Sequence, residues 1–402
     1  MMMAAAADVV RADVYKAGAL AAVLERTERG VELRYTDEWV RARGRAIAST
    51  LPVTSEPVVS TGGAVPAFFA GLLPEGRRLS ALRRAVKTSS DDELGLLVAV
   101  GSDPVGDVQV VAAGARLERA SARVETDGSD FGRVSFADLM RSYDIEIDRR
   151  ALAGVQDKVS LTMLSLPVRA ASGEFILKLN PPEYANIVAN EAYFLGAAKL
   201  ARVQAVRAEL VTDAEGAQGL AVQRFDRIVS RAGAQALAVE DGCQVLGLHP
   251  EAKYRVSTED LITALARICA APAPAALELY RQIVFAYAMG NGDAHAKNFS
   301  VVDTGAGYRP SPAYDIPCTL IYGDSTMALR VDERRDGNIS RSRFLALAAA
   351  VGIREPAAVR VLDSVADAAD AWVEGMDALP FDSGVLQKTK RALINRRRML
   401  RG

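Results

Sequence analysis

Residues 289–300 read Met-Gly-Asn-Gly-Asp-Ala-His-Ala-Lys-Asn-Phe-Ser, and they concentrate the chain's reactive chemistry. Asp293 can orient and deprotonate a hydroxyl. Asn298, five residues on, can offer its amide oxygen to Mg2+, and Lys297 places a cation beside it. Acid, cation and amide within six residues are what a phosphoryl-transfer loop requires, and the kinase catalytic loop spaces its Asp and Asn the same way. A polar turn between a helix and a strand uses the same residue types, because Gly, Asn and Asp favour turns for backbone reasons. The rest of the chain has to separate the two.

Four further stretches carry groups that such a loop would need. Ala151-Leu-Ala-Gly154-Val-Gln-Asp-Lys158 opens a strand, and a glycine there lets backbone N–H groups approach phosphate oxygens. It is neither a Walker A sequence nor GxGxxG, and an ordinary turn would read the same. Lys178 sits inside the apolar strand Phe175-Ile-Leu-Lys-Leu179, where a buried ammonium needs an anion. ATP phosphates and Glu191 would serve; the alternative is a lysine that faces solvent. Val222-Gln-Arg-Phe225-Asp226-Arg227 ends a strand where a hinge would meet adenine, or is a charged strand end. Tyr314-Asp315 lies 22 residues after Asp293, the position of a kinase's second Mg2+ carboxylate, or of an Asp before the turn at Pro317. Each is weak alone. Glycine loop, strand lysine, helix glutamate, hinge, Asp-x4-Asn and metal Asp in that order are much less so.

The elements that must position these groups are legible as periodicities. Ala12–Gly18 and Ala19–Leu24 read as a hairpin with a glycine turn, Val31–Tyr35 as a strand, and Thr36–Trp39 as the cap of a short helix. Ser49–Pro52 reads as extended. Residues 66–100 read as helical, with Ser89/Ser90 capping the last helix, and Gly106–Ala112 as a strand. Gly114–Gly132 reads as a linker and Ser135–Arg141 as a short helix. Lys158–Met163 and Gly173–Leu179 alternate as strands, Ile187–Leu200 is a helix carrying Glu191, and strands follow at Arg207–Thr212 and Gly219–Phe225. Strand, strand, helix, strand, strand is the order of a kinase small lobe. Beyond 256 the chain reads as mainly helical: a capping box at Ser257–Asp260 opens Leu261–Ala270, Pro272 and Pro274 break it, and Ala275–Met289 leads into the loop. Short strands at 299–302 and 308–309 precede helices at about 340–351, 355–376 and 384–399.

Bulk properties exclude some classes. Half of the 402 residues are hydrophobic, enough for a large core. The net charge of −1 gives no global signal for nucleic acid or an anionic membrane. With His249 and His295 alone, a multi-histidine metal site is excluded. Cys243, Cys269 and Cys318 form no CxxC pair and suit a reducing cytosol. The start lacks the basic region of a signal peptide, and no run approaches the roughly 20 apolar residues of a membrane span. The expectation is a cytoplasmic protein with no membrane partner.

These motifs resemble the HipA family of serine/threonine kinase toxins from bacterial toxin–antitoxin pairs, over nearly the full length. Ala153–Lys158 resembles the family's AGxQ(E/D)K phosphate loop, Phe175–Leu179 its IIKL strand, Asn190-Glu191 its NE pair and Gln223–Arg227 its ERFDR hinge. Glu240–Leu248 resembles its EDxCQxLGL segment, Gly292–Ser300 its DxHxKNFS loop, and Pro312–Ile316 its PxYD metal motif. Upstream, Phe68–Glu75 resembles the FFxNLLP of its N-terminal subdomain.

The resemblance implies an α+β, two-lobed protein-kinase-like fold: an N-terminal subdomain over 1–130, an ATP-binding small lobe over 131–255 and a helical lobe over 256–402. It implies that Asp293 is the catalytic base and that Asn298 and Asp315 hold Mg2+. Lys178 would bind ATP phosphates under a loop of Ala153, Gly154, Val155, Gln156, Asp157 and Lys158. Gln223, Arg224 and Phe225 would contact adenine, and His295, Lys297, Asn298, Tyr314 and Asp315 would line the nucleotide site. It also implies a HipB-like helix-turn-helix antitoxin as partner and an aminoacyl-tRNA synthetase as substrate, whose phosphorylation brings on dormancy. Operator DNA would meet the basic, Leu386/Leu393/Leu400-striped carboxy-terminal run, unless that run is an ordinary amphipathic helix.

Two departures matter. Ala151 stands where the family often has a self-phosphorylated serine, so self-inactivation there is impossible, with Ser142 or Ser160 as substitutes in principle. Gln223 replaces the usual hinge glutamate. Rival readings are a catalytically weak binding module and a small-molecule phosphotransferase; an intact catalytic set opposes the first, and the N-terminal subdomain and the Glu240–Gln244 segment oppose the second.

Overall fold

Alternation of apolar residues builds the N-terminal region. Strand β1 (Arg11–Lys16) buries Ala12 and Val14, then turns through Ala17 and Gly18 into β2 (Ala19–Thr27). Both turn residues have positive φ, 51° and 82°, which matches the twist of a two-residue hairpin. The structure, a computed structural model, describes residues 9–86, 92–117, 125–126, 131–142, 164–170, 173–230 and 233–402. With β3 (Gly30–Tyr35), β4 (Val58–Ser60) and β5 (Val108–Ala112), these strands form an antiparallel sheet ordered β4-β3-β2-β1-β5. Helices α1 (Asp37–Arg41), α2 (Ala67–Ala70), α3 (Gly76–Val86) and α4 (Glu93–Val100) accompany it. Phe68, Phe69, Leu94 and Leu97 close a core with Val14, Leu24 and Leu33. Thr36 caps α1 by accepting from the Trp39 amide, as expected. Two expectations change. Ser49-Thr50 is a turn closed from Leu51 to Ala48, not an extended segment. The cap of α4 is Asp92, which accepts from the Gly95 amide; Ser89 and Ser90 lie outside the described residues.

The second sheet carries the small lobe. Its order is β6 (Glu125–Thr126), β7 (Leu164–Ala170), β8 (Gly173–Leu179), β10 (Gln218–Gln223), β9 (Ala208–Thr212), with only the β6–β7 pair parallel. Side chains alternate across a strand. Leu177 and Leu179 therefore share a core with Phe136 of α5 (Phe136–Ser142), while Lys178 faces the opposite side, toward α6 (Ile187–Leu200). The same alternation sends Ala221 to one core, and Leu220 and Val222 to the other with Ile187 and Phe194. The strand expected at Lys158–Met163 lies outside the described residues. β7 was not foreseen, because Pro167 sits within it. Among the described residues its neighbour on that side, β6, pairs only at Arg169 and Ala170, so there the proline stands at what is locally an edge and costs no ladder bond.

A hairpin of β11 (Arg227–Ser230) and β12 (Gly233–Ala236) follows, then β13 (Ala238–Asp241). These were not foreseen. β13 pairs with β14 (Ser300–Asp303), which pairs with β15 (Tyr308–Pro310), so the strand after the 289–300 loop is tied to the segment before the helical lobe.

The helical lobe comprises α7 (Gly242–Val245), α8 (Thr258–Ile268), α9 (Pro272–Ala288), α10 (Arg341–Ala350), α11 (Glu355–Gly375) and α12 (Ser383–Arg401). Pro272 opens α9 rather than lying ahead of it; its missing N–H is no loss at a first helical position. From Gln282 to Ala296 every residue is buried, so α9 is the axial helix of the lobe. Phe285 meets Trp372 of α11 edge to face at 5.5 Å, and truncating such a ring typically costs about 3–5 kcal/mol. On α12, Leu386, Thr389, Leu393, Arg396 and Leu400 form the buried stripe. Arg396 donates to the carbonyls of Tyr287 (2.9 Å) and Ser325 (2.6 Å). Arg397 pairs with Asp370, Arg401 with Asp367 and Asp370, and Lys390 with Asp377, so much of the basic run is matched within the chain. Among the described residues no helix is long and apolar enough to cross a membrane.

Candidate active site

Helix α9 delivers the loop to one place. The chain leaves the helix at Met289, and Gly290 turns it at φ 75°. A Cβ at Gly290 would press on Leu320 and Leu393, and one at Gly292 would stand 2.7 Å from an Asp324 carboxylate oxygen. The loop's amides are then bound in turn: Asn291 to the Ala286 carbonyl (2.9 Å), Gly292 to Thr319 Oγ1 (2.7 Å), Asp293 to Asn291 Oδ1 (3.0 Å) and Ala296 to the Lys253 carbonyl (3.1 Å). Asn291 also donates to the Asp315 carbonyl at 3.2 Å, which couples the loop to the Tyr314-Asp315 segment. A plain turn would leave such groups to solvent; here they are buried and bonded.

Asp293 is 2% exposed, and its Oδ1 accepts from the Tyr254 hydroxyl at 2.7 Å. Burial, reinforced by the Asp293 charge, pushes the Tyr254 phenol far above its usual range, so it remains a donor. The Tyr254 ring meets His295 edge to face at 5.1 Å. Burial, with Lys253 and Lys297 nearby, lowers the His295 pKa to about 3, so its imidazole is neutral. Its Nδ1 is buried without a hydrogen-bond partner among the described residues.

Three elements distant in sequence converge on Lys178. The ammonium lies 2.7 and 2.9 Å from the Glu191 oxygens and also pairs with Asp315. Burial alone would lower the lysine's pKa; Asp315 and Glu191 outweigh it and drive it upward. Burial, reinforced by the Asp315 charge, raises the Glu191 carboxyl against the pull of Lys178. Asp315 has φ 51°, a left-handed conformation that costs about 1–3 kcal/mol in a non-glycine residue and clusters at functional sites.

Asn298 supplies the test for a metal. Its Oδ1 is buried and has no hydrogen-bond partner among the described residues, a state that costs about 1–3 kcal/mol unless a ligand fills it. Asn291, Asn298 and Asp315 line one cavity. Mg2+ takes oxygen ligands, commonly few from protein and the remainder from phosphates and water, so this pair of residues fits it.

The other expected residues divide. Tyr314 belongs to the site: its ring stacks on Phe225 at 5.4 Å, and its hydroxyl donates to the Lys297 carbonyl (2.7 Å) and lies 2.5 Å from Ser300 Oγ. Gln223 and Arg224 use their backbone amides on the Arg207 and Glu174 carbonyls. The Arg224 side chain turns away to Asp226, Asp103 and the Pro104 carbonyl, joining the small lobe to the N-terminal region. The Lys297 ammonium also turns away, to Glu75 at 2.8 Å and the Gly71 carbonyl at 3.1 Å. Ala151, Ala153, Gly154, Val155, Gln156, Asp157, Lys158 and Ser160 lie outside the described residues. Sequence reasoning missed Tyr254, Asn291, Thr319 and Glu75 as parts of this constellation. Asn291 left a trace inside the 289–300 stretch and Glu75 at the end of the Phe68–Glu75 motif; Tyr254 and Thr319 left none.

Comparison with known proteins follows the same division. A family profile for the HipA-like C-terminal domain matches residues 150–373, more than half of the chain, and one for the HipA N-terminal domain matches residues 12–111. A Sinorhizobium fredii protein named provisionally as a kinase, Y4mE, is 28% identical over 91% of this chain and 92% of its own. The serine/threonine-protein kinase toxin HipA of Shewanella oneidensis is 27% identical over 76% of this chain and 74% of its own. Among solved structures, a chain of the Shewanella oneidensis complex of HipA, HipB and operator DNA superposes with a TM-score of 0.77 at 21% identity, over 96% of both chains. That likeness establishes the α+β, two-lobed, kinase-like fold.

Proposed function

This chain belongs to the HipA family, and on that premise we propose that it is an ATP-dependent serine/threonine protein kinase of the toxin type. The observation that carries the reading is the meeting of Lys178, Glu191 and Asp315 beside an unpartnered Asn298 amide oxygen. Asn298 and Asp315 would hold Mg2+, which would offset the negative charge that builds on the phosphate oxygens during transfer. Lys178, kept charged by Asp315 and Glu191, would bind phosphate. Ala153–Lys158 would cover the phosphates, and the Gln223–Phe225 hinge would meet adenine against the Phe225–Tyr314 stack. Asp293, oriented by Tyr254, would align the acceptor hydroxyl and take its proton.

In the proposed setting the acceptor is a Ser or Thr of an aminoacyl-tRNA synthetase in the cytoplasm, the outcome is dormancy of the persistence type, and a HipB-like antitoxin restrains the kinase. The solved Shewanella complex, in which HipA occurs with HipB and operator DNA, supports the antitoxin as partner. Any operator contact here would fall to Lys388, Arg391 and Arg398, which stand exposed on α12. With Ala151 in the loop, control by self-phosphorylation at that residue is absent from the proposal. Labelled ATP and a panel of purified synthetases test it. Transfer to one synthetase, lost by at least about a thousandfold in Asp293→Asn with an unchanged circular dichroism spectrum, is the expected result. Transfer by that variant at near wild-type rate would overturn it.

A further inference from the structure

The charges around Lys297 tell a second story. Glu75, just beyond α2 in the N-terminal region, stands between two lysines of the helical lobe. Its carboxylate pairs with Lys297, inside the 289–300 loop, and with Lys253, just before Tyr254. Burial would raise the Glu75 pKa, but the two ammonium groups overcome it and hold it at about 2. The same stretch of chain makes two further attachments to the helical lobe. The Gly71 carbonyl accepts from Lys297 and the Phe68 carbonyl accepts from Gln244 Nε2 at 2.9 Å, an approach so close that a Cβ on Gly71 would stand 2.8 Å from the Gln244 side chain.

Both lysines lead to the reacting groups. Lys297 is followed by Asn298, and its carbonyl anchors Tyr314. The Lys253 carbonyl holds the Ala296 amide, and the neighbouring Tyr254 donates to Asp293. We propose that Glu75 is a positioning residue: from the N-terminal region it clamps Lys297 and Lys253, and through them it sets Asn298 and Asp293. Neither lysine then serves as a phosphate ligand in this arrangement. The N-terminal region becomes part of the catalytic apparatus rather than an appendage to it.

The kinetic side of this inference rests on the kinase reading; the structural side does not. Two measurements on the full chain keep them apart. Amide hydrogen exchange compares wild type with Glu75→Gln, which keeps size and loses charge, and with Glu75→Asp, which keeps charge and loses reach. In Glu75→Gln, exchange over residues 289–300 should rise about tenfold while β1–β3 and α11 stay as in wild type. Transfer should show kcat lower by about tenfold with the ATP KM within about twofold, and Glu75→Asp should recover part of the loss. Unchanged exchange over 289–300 in Glu75→Gln would overturn the clamp. So would a uniform rise across the whole chain, the mark of a merely structural residue. A wild-type protein that transfers no phosphate would sink the kinase reading, and the exchange comparison would still decide the clamp.

Discussion

Lys16 and Lys178 are both buried strand lysines, one in each five-stranded sheet, and they do different work. Lys16, 4% exposed, meets a single carboxylate, Asp107 at 2.8 Å, and the Ile47 carbonyl at 3.1 Å. Its charge is matched and every partner belongs to the same region. Lys178, 6% exposed, meets two carboxylates, and one of them, Asp315, keeps 36% of its side chain open. Among the described residues, one cation faces two carboxylates beside an amide oxygen that none of those residues engages, the condition under which a divalent cation is welcome. A buried lysine in a strand is therefore no signature of a site. The number of its anions and the openness of one of them are.

The largest expected effect separates the two lysines. Lys178→Met should cut phosphate transfer by at least about a hundredfold. Lys16→Met should leave kcat within about twofold yet cost about 3–5 kcal/mol of stability, because Asp107 is stranded. Denaturant melts and initial rates on the same two samples check the contrast, and it breaks if both variants lose activity equally. Asp315→Asn should raise the Mg2+ concentration for half-maximal rate at least about tenfold, read from a Mg2+ titration; no shift would remove Asp315 from the metal role. Tyr254→Phe deletes one hydroxyl from Asp293 and should lower kcat about tenfold with ATP KM unchanged, in line with the worth of a hydrogen bond to a charged group.

Glu75 inverts Lys178, being one anion between two cations, and it gives the smallest effect. Its folded pKa, about 2, lies below the usual 4.5, so the folded state binds its proton less readily than the unfolded state. Its contribution is complete above about pH 5 and fades as pH falls toward 2. The melting-temperature gap between wild type and Glu75→Gln should accordingly shrink from pH 6 to pH 3. A gap that stays constant would mean Glu75 acts through shape rather than charge.

The sequence yielded those parts of the site that depend on local spacing. Asp293 and Asn298 share one loop, Lys178 stands out by alternation in an apolar strand, and the helix carrying Glu191 has the bounds read from its pattern, Ile187–Leu200. The partners of Tyr254 and Glu75 could not be read because packing sets them, at separations of 39 residues for Tyr254–Asp293 and 178 for Glu75–Lys253. β7 was hidden by Pro167, whose meaning depends on where the neighbouring strand stops. The carboxy-terminal basic run reads as free positive charge until α11 supplies Asp367 and Asp370.

Arg396 has a consequence in time. It reaches from α12 to the Tyr287 carbonyl, in the last turn of the helix that launches the 289–300 loop, and the neighbouring Leu393 lies against Gly290. A ribosome makes these residues about a hundred positions after the loop, a delay of roughly 5–20 s at typical elongation rates. The nascent chain therefore carries Asp293 and Asn298 before it owns the buttress that seats them. We expect chains stalled ahead of α12 to transfer no phosphate, measurable on stalled ribosome–nascent chain complexes with labelled ATP. On the proposed function, a chain built this way would be silent on the ribosome that makes it, and transfer from such stalled chains would show that the buttress is dispensable.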